Sequence, residues 1–246
     1  MKFWIIVALA AVATAQDLPK ELKICKRSDP DYNACMAQAV EESLKFFKDG
    51  NKALGMLPID PYLIESAATN HTSGNSNFNL RSSLTNNDFN GLSTPMVKRL
   101  KFKFDDAFAA RVEGKFNVLQ LIGDYTMNGK IFVLPISGVG RCNITMLNVT
   151  ALVDMRGPYV TKNGEKYIHL DYFKMRINPQ RSFFKFDNIF NGDKTLSDQI
   201  NLFMNENHEV VIATLLPGYL DIMGNKFKDI ANSLFDKIPM KFIFPE

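Results

Sequence analysis

The sequence has only three cysteines, three histidines and one tryptophan among its 246 residues. No further cysteine or histidine lies at metal-ligand spacing from Cys25 and Cys35, so the sequence does not indicate a zinc site. There is no Gly-x-Ser-x-Gly motif, and His208-Glu209 lacks the second histidine of a zinc protease. Gly138-Val139-Gly140 lacks the third glycine of a dinucleotide loop. We therefore expect no enzyme, no cofactor and no metal site.

Long apolar runs are also absent, except at the N-terminus. Lys2 precedes an apolar run at residues 3–12, and Ala13-Thr14-Ala15 provides small residues suited to cleavage. A membrane-spanning helix needs about 20 apolar residues, which is more than this run contains. We interpret residues 1–15 as a secretory signal peptide. Residues 16–246 are then expected to form a single extracellular domain without an integral membrane segment.

Neither sign of charge dominates. Lysine and arginine number 29, aspartate and glutamate number 26, and the net charge is +3. An apolar content of 46% supports a sizeable core, and a charged content of 22% argues against disorder. This balance gives no reason to expect a nucleic-acid partner, and we expect a monomer.

Secretion would place the cysteines in an oxidising compartment. Cys25 and Cys35 are close in sequence, and Cys142 is far from both. We predict a Cys25–Cys35 disulfide, which would stabilise the fold by roughly 2–3 kcal/mol. Three Asn-x-Thr sequons are candidate glycosylation sites, at Asn70, Asn143 and Asn148.

Apolar periodicity predicts the first elements. A helical pattern covers residues 30–49, from the start signal Asp29-Pro30 to the stop signal Gly50. From about residue 75 to 190, alternating residues and Asn-Gly turn signals predict antiparallel strands joined by tight hairpins. One strand ends at a turn at Asn128-Gly129 and has a clear apolar face, formed by Leu119, Leu121, Tyr125 and Met127.

The paired sequons constrain the next strand. Side chains five residues apart point to opposite faces of a regular strand, so Asn143 and Asn148 cannot both face water on it. The alternation of apolar residues also changes phase near Met146-Leu147. We therefore predict a β-bulge or a strand bend there. Cys142 shares the apolar face of the first half and is expected to be a buried, inert thiol.

The C-terminal part is predicted to be mainly helical. Thr195 and Asp198 form a capping-box-like start to about forty residues of helical periodicity, roughly 60 Å. Pro217 is expected to kink or split this helix, and residues 238–244 to form a short closing strand. A helix this long must bury its apolar face. We therefore predict an α+β fold, a long α-helix wrapped in a highly curved antiparallel β-sheet with an internal apolar tunnel.

Several motifs occur in the order found in one insect family. The sequence resembles the takeout / haemolymph juvenile-hormone-binding family over essentially the whole mature chain. The resemblance implies a tubular lipid-binding fold, a disulfide matching Cys25–Cys35, a lipophilic ligand and a circadian or feeding-related role. The second disulfide expected of moth juvenile-hormone carriers has no counterpart, which favours a takeout-like member. The motifs are Asp29–Cys35, Gly55–Pro61, Gly91-Leu92-Ser93, Gly123-Asp124-Tyr125, Gly129-Lys130-Ile131, Leu134–Gly140, Phe186–Lys194, Asn201 and Asn205-Glu206-Asn207.

Twenty phenylalanines and eleven methionines favour an adaptable apolar cavity. We predict a secreted carrier of a juvenile hormone-like terpenoid, a fatty acid or another lipid, with Tyr125 as a candidate to orient its polar head. The alternative is a lipid-surface or protein-interaction module. Its candidate surface is the basic cluster Lys98, Arg99, Lys101 and Lys103. The predicted ligand-binding residues are Leu119, Leu121, Tyr125 and Met127 on the sheet, and Phe203, Val211 and Leu215 on the helix.

Overall fold

The computed structural model describes residues 18–72, 78–131 and 134–246. The predicted signal peptide, residues 1–15, lies outside these ranges. The elements in chain order are α1 (Tyr32–Phe46), β1 (Tyr62–Thr72), β2 (Phe78–Asn90), β3 (Met96–Lys103), β4 (Phe108–Ile131), β5 (Leu134–Gly157), β6 (Tyr159–Lys162), β7 (Glu165–Ile168), β8 (Tyr172–Phe186), α2 (Lys194–Glu206), α3 (His208–Phe235) and α4 (Met240–Ile243).

The main sheet is antiparallel, with strand order β1-β2-β4-β5-β8. Strands β4 and β5 have 24 residues each, roughly 80 Å of extended chain. β3 pairs with the first part of β4, and β2 pairs with its second part. Helix α3, about 42 Å long, packs against β1 and β8, the first and last strands of this order. The predicted curved antiparallel sheet around a long helix is confirmed, while the tunnel stays a prediction.

The N-terminal segment is attached to α1 by the Cys25–Cys35 disulfide, as predicted. Helix α1 is shorter than predicted at both ends, because Asp31 rather than Asp29 is its N-cap residue and Phe47, three residues before Gly50, is its C-cap residue. Cys25 is buried in a second core region together with Phe108, Phe244 and residues of α1. This region closes one end of the molecule. α4, where we expected a strand, contributes Met240 to it, so the strand prediction is wrong.

The alternation of buried and exposed side chains shifts by one residue at the same level on three neighbouring strands, β4, β5 and β8. On β5, Met146 and Val149 are both buried, although three residues separate them. Between them, Asn148 adopts a left-handed conformation with φ of 47°. The pairing register with β4 and β8 is the same on both sides of Asn148. The predicted phase change is therefore confirmed as a bend made by one left-handed residue, with no extra residue inserted.

Asn128-Gly129 is not a turn, which corrects the sequence prediction. β4 continues through it to Ile131, and Gly129 pairs with Leu80 on one side and Ile136 on the other. Gly129 has φ of +140°, and a Cβ atom there would lie 2.0 Å from the carbonyl oxygen of Asn79. The glycine is needed for close strand approach. Asn163-Gly164 does form the predicted hairpin turn, between β6 and β7.

The strand region begins earlier than predicted, because β1 starts at Tyr62. The C-terminal helical region is divided at Asn207 and not at Pro217, so of the two predicted effects of Pro217 the split is wrong, while the kink stays a prediction. α3 continues through Pro217. The N-terminal cap of α2 also differs from the prediction. The Asp193 side chain, and not that of Thr195, accepts a hydrogen bond from the backbone N–H of Leu196 at 3.0 Å.

Asparagine side chains dock α2 on the unpaired edge backbone of β8. The Asn201 amide donates to the Phe186 carbonyl at 2.9 Å and accepts from the Phe186 N–H at 2.9 Å. Asn205, one turn later on α2, makes the same two bonds to Phe184, each at 2.8 Å. These amides satisfy edge backbone groups that another strand would otherwise satisfy. They fix α2 along the edge of the sheet.

Asp60 connects two motifs that are distant in sequence. Its Oδ1 accepts from the Gly91 N–H at 2.9 Å, and its Oδ2 accepts from the Ser93 N–H at 3.0 Å and the Ser93 hydroxyl at 2.5 Å. Asp60 is only 7% exposed. Burial alone would raise the pKa of this carboxyl, but these three bonds and the charge of Lys48 lower it below its usual value.

Candidate ligand-binding site

The inner face of the sheet and the two C-terminal helices enclose one large apolar region. The structure brings all seven predicted ligand-binding residues into it. Six of them are at most 8% exposed, and Phe203 is partly buried against the same region. The alternation of β4 places its four residues on the inner face, as the sequence predicted. The lining also includes residues that the prediction left out, among them Met146, Met204, Met223, Phe184 and Phe227.

Tyr125 is more constrained than we expected. Its hydroxyl donates to the backbone carbonyl of Asp187 at 2.7 Å, and its ring lies edge-on to Phe186 at 4.8 Å between centroids. Burial raises the pKa of Tyr125, so it stays protonated. Because its single proton is committed to the backbone, Tyr125 is poorly placed to orient a ligand. Its role is to fasten β4 to the chain that follows β8.

A compact polar cluster lies at the boundary of this apolar region, between β1, β2 and α3. It consists of Thr69, His71, Ser82 and Tyr219. The Tyr219 hydroxyl donates to Ser82 Oγ at 2.7 Å, and Ser82 Oγ lies 3.1 Å from His71 Nε2 and 3.2 Å from Thr69 Oγ1. Thr69 is also hydrogen-bonded to His71. We call these four side chains the polar cluster.

Close packing of α3 on β1 creates the polar cluster. A Cβ atom on Gly218 would lie 3.1 Å from Thr69 Cγ2 and 3.4 Å from His71 Cε1, so the glycine lets the helix approach. The His71 ring also donates to the backbone carbonyl of Thr214 on α3. Thr69 and Ser82 are directly opposite each other in the β1–β2 ladder. Strand register and helix docking therefore determine the geometry together.

The polar cluster is uncharged at neutral pH. Burial lowers the pKa of His71 below its usual value, against the opposing effect of the bond to Thr214. Burial raises the pKa of Tyr219, against the lowering effect of its bonds to Ser82 and Thr69. A neutral imidazole and three hydroxyls can both donate and accept hydrogen bonds. This chemistry suits the hydroxyl, carbonyl or carboxyl end of a mostly apolar molecule.

The contact between Ser82 and His71 resembles the nucleophile and base of a hydrolase. However, Ser82 lies inside β2, paired with Thr69 on one side and Met127 on the other. An oxyanion hole needs preorganised donors aimed at the reacting oxygen, and strand backbone N–H groups are already used in the ladder. The arrangement is better suited to anchoring a polar group than to acyl transfer.

Cys142 lies near this region and is buried, as predicted. It is 2% exposed, its thiol donates to Asn87 Oδ1 at 3.5 Å, and burial raises its pKa to about 11. We expect the folded protein to react at least about 100-fold more slowly with a thiol reagent at pH 7.5 than the protein in guanidinium chloride. Mass spectrometry of iodoacetamide adducts would measure this. Comparable rates in the two states would contradict the prediction.

Comparison with known proteins places the chain in a family. Residues 4–245 match the haemolymph juvenile hormone binding protein family, JHBP. The chain belongs to this family. The chain is 23% identical over 240 residues to the circadian clock-controlled protein daywake of Drosophila melanogaster. That match covers 95% of this chain and 90% of daywake. The Drosophila yakuba daywake is 22% identical with the same coverage.

A solved structure supports the same conclusion about the fold. Takeout 1 of Epiphyas postvittana superposes with a TM-score of 0.82 at 21% identity, covering 92% of this chain and 100% of that one. The family resemblance and the predicted fold are thus confirmed. JHBP family members are in general proteins that bind hydrophobic ligands, and not enzymes. Among the described residues, no helix is long and apolar enough to cross a membrane.

Proposed function

We propose that this protein is a secreted carrier that binds a hydrophobic small molecule between the inner face of the sheet and α3. The observation that carries the proposal is the polar cluster at the boundary of an apolar region rich in methionine and phenylalanine. Flexible methionine side chains can rearrange around a guest, which suits a site that admits elongated molecules. Family membership supports binding of a hydrophobic ligand in general.

The ligand of this proposal has two parts. Its apolar body contacts Leu121, Met127 and Leu215, and its burial provides most of the affinity, at roughly 25 cal/mol per Å² before the costs of association. Its polar end exchanges hydrogen bonds with Tyr219 and with His71 Nε2, whose partners within the polar cluster are hydroxyls that can rotate, unlike the fixed backbone carbonyl that holds Tyr125. Terpenoid esters, fatty acids and fatty alcohols all have this form. We also propose secretion of the protein and glycosylation at Asn70, Asn143 and Asn148. The identity of the ligand, the secretion and the glycosylation can each be measured directly.

Purification of the secreted protein from insect cells tests the proposal. Native mass spectrometry is expected to show an added mass of a few hundred daltons, and organic extraction should release one lipophilic species. The purified protein should also be stabilised by added terpenoid or fatty alcohol, because a ligand that binds only the folded state raises its stability. A protein that carries no extractable lipid and gains no thermal stability from such compounds would refute a carrier role.

Tyr219→Phe tests the role of the polar cluster. Removing the hydroxyl is expected to weaken binding of oleyl alcohol about tenfold, because one hydrogen bond is worth about 1 kcal/mol or slightly more. Binding of hexadecane, which has no polar end, should change by less than about twofold. Displacement of a fluorescent fatty-acid probe gives both affinities.

Tyr62→Phe is the matched control for this experiment. Tyr62 belongs to the same apolar region, and its ring packs on Phe227 at 5.0 Å between centroids. Its change should leave the oleyl alcohol to hexadecane ratio as in the wild type. An equal loss for both probes in Tyr219→Phe would mean that the hydroxyl supports the fold and not the ligand.

A further inference from the structure

The outer face of the sheet carries a concentration of positive charge at the end nearest α1. Register places Lys101 of β3, Arg111 of β4, Asp154 of β5 and Lys174 of β8 side by side in one row. The row on either side crosses the same four strands in the same order. One contains Arg99, Glu113, Leu152 and Arg176, and the other contains Lys103, Ala109, Arg156 and Tyr172. We call these three rows the basic face.

The basic face is more positive than the chain as a whole. It combines seven cationic side chains with two carboxylates, in a chain whose total net charge is +3. The β3 bulge between Val97 and Arg99 leaves Lys98 exposed beside it. Asp105 and Asp106 lie in the bend that follows Lys103, at one end of the basic face. The other residues of the chain therefore sum to a small net negative charge.

The two carboxylates of the basic face are already engaged by arginines. Asp154 accepts from Arg111 Nε at 2.5 Å and from Arg176 at 2.7 Å, and its hydrogen bond with Arg111 is the main reason that its pKa is lowered. Glu113 lies 3.8 Å from Arg99. The lysines of the face are exposed and form no salt bridge with any residue in the described ranges. Their charge is directed to solvent.

A groove of about 680 Å³ lies between the basic face and α1. It is lined by aliphatic, basic and other polar side chains, namely Ala34, Ala37, Leu100 and Leu152, then Lys98, Arg99, Lys101 and Arg111, with Asn33 and Glu113. Long cationic side chains keep their charge in water while their methylene stems cover apolar surface. The groove therefore brings aliphatic and cationic side chains together in one lining.

We infer that the basic face and its groove form a docking surface for an anionic lipid bilayer. The phosphate and carboxylate groups of an anionic leaflet match the exposed lysines, and the aliphatic side chains that line the groove can receive an acyl chain that rises from the leaflet. A sulfated polysaccharide would match the charge alone and would leave the aliphatic lining unused. This surface lies on the opposite side of the sheet from the ligand region, so a carrier could dock there while keeping its ligand enclosed.

Vesicle co-sedimentation of the full-length secreted protein tests the inference. The protein should sediment with phosphatidylcholine vesicles that contain phosphatidylserine, and not with pure phosphatidylcholine vesicles. Binding should weaken as salt is raised from 50 to 500 mM, because exposed charges are screened. The triple change Lys98→Gln, Lys101→Gln and Lys103→Gln should weaken binding about 100-fold, at about fivefold for each lysine.

The matched control removes three exposed lysines elsewhere, with Lys52→Gln, Lys185→Gln and Lys226→Gln. The total charge change is the same, and binding should fall by less than about threefold. Equal losses in the two variants, equal binding to both vesicle types, or binding to heparin without binding to vesicles would overturn the inference. A thermal melt of each variant excludes unfolding as the cause, and none of these outcomes depends on whether a ligand is carried inside.

Discussion

Replacing Asp60 with alanine is expected to lower the free energy of unfolding by about 3–5 kcal/mol. The change would leave the N–H groups of Gly91 and Ser93 and the Ser93 hydroxyl without their shared acceptor in a buried position. Each buried donor left without an acceptor costs about 1–3 kcal/mol, and three donors lose theirs together. Guanidinium chloride titration followed by circular dichroism measures the effect, and the midpoint should fall without a large change in slope.

Asp88→Ala is the control for Asp60→Ala. Asp88 is exposed on β2, and its removal should change stability by less than about 0.5 kcal/mol. The lowered pKa of Asp60 adds a pH test. Its contribution is fully present above the unfolded-state pKa of about 3.9 and is lost as the pH falls through the lower folded-state pKa. Stability should therefore fall less steeply between pH 4 and 2 in Asp60→Asn than in the wild type. Parallel curves would contradict this role.

Removing both docking amides of α2, Asn201→Ala with Asn205→Ala, is expected to cost about 2–4 kcal/mol. Each asparagine satisfies one N–H and one carbonyl on β8, and each loss leaves partly buried backbone groups unpaired. Hydrogen exchange gives a local readout. The backbone N–H groups of Phe184 and Phe186 should exchange at least about tenfold faster, ahead of the rest of β8.

Asn225→Ala is the matched control for this pair. Asn225 is exposed on α3, and its amide donates to the carbonyl of Asp221 in the same helix. Its loss should leave the exchange of Phe184 and Phe186 unchanged. If the double variant lost stability uniformly along β8, with no preference for these two amides, the docking role would be contradicted.

Strict alternation made part of the site predictable. The inner face of β4 could be read from Leu119 to Met127 because a strand with one buried face has a period of two. The bend near Asn148 was predictable for the same reason, since the period breaks there. In both cases the information lies within about ten residues of sequence.

Features that depend on long-range pairing were not predictable. Asn128-Gly129 is a typical hairpin signal, yet β2 and β5 pair with β4 on both sides of it and extend the strand. The sequence showed Asp60-Pro61 and Gly91-Leu92-Ser93 as separate motifs, with no indication that they bond to each other. The division of the C-terminal helical region at Asn207 carried no proline or glycine to mark it.

The polar cluster shows the same limitation most clearly. His71 lies within the sequon Asn70-His71-Thr72, which suggests an exposed residue. Its burial depends on Ser82, which is 11 residues away across a ladder, and on Tyr219, which is 137 residues from Ser82. A buried histidine and serine would each have to be placed in three dimensions before their contact could be recognised.

The left-handed conformation of Asn148 affects how its sequon can be studied. Asparagine adopts this conformation more easily than most residues, so the usual change of Asn to Gln would remove a backbone preference together with the acceptor of a sugar. A loss of secretion or stability in that variant could therefore come from the lost glycan or from the altered strand backbone. Thr150→Ala destroys the sequon and keeps Asn148, while Asn148→Gly destroys it and keeps the bend. Comparing the two separates the contribution of the glycan from that of the strand geometry.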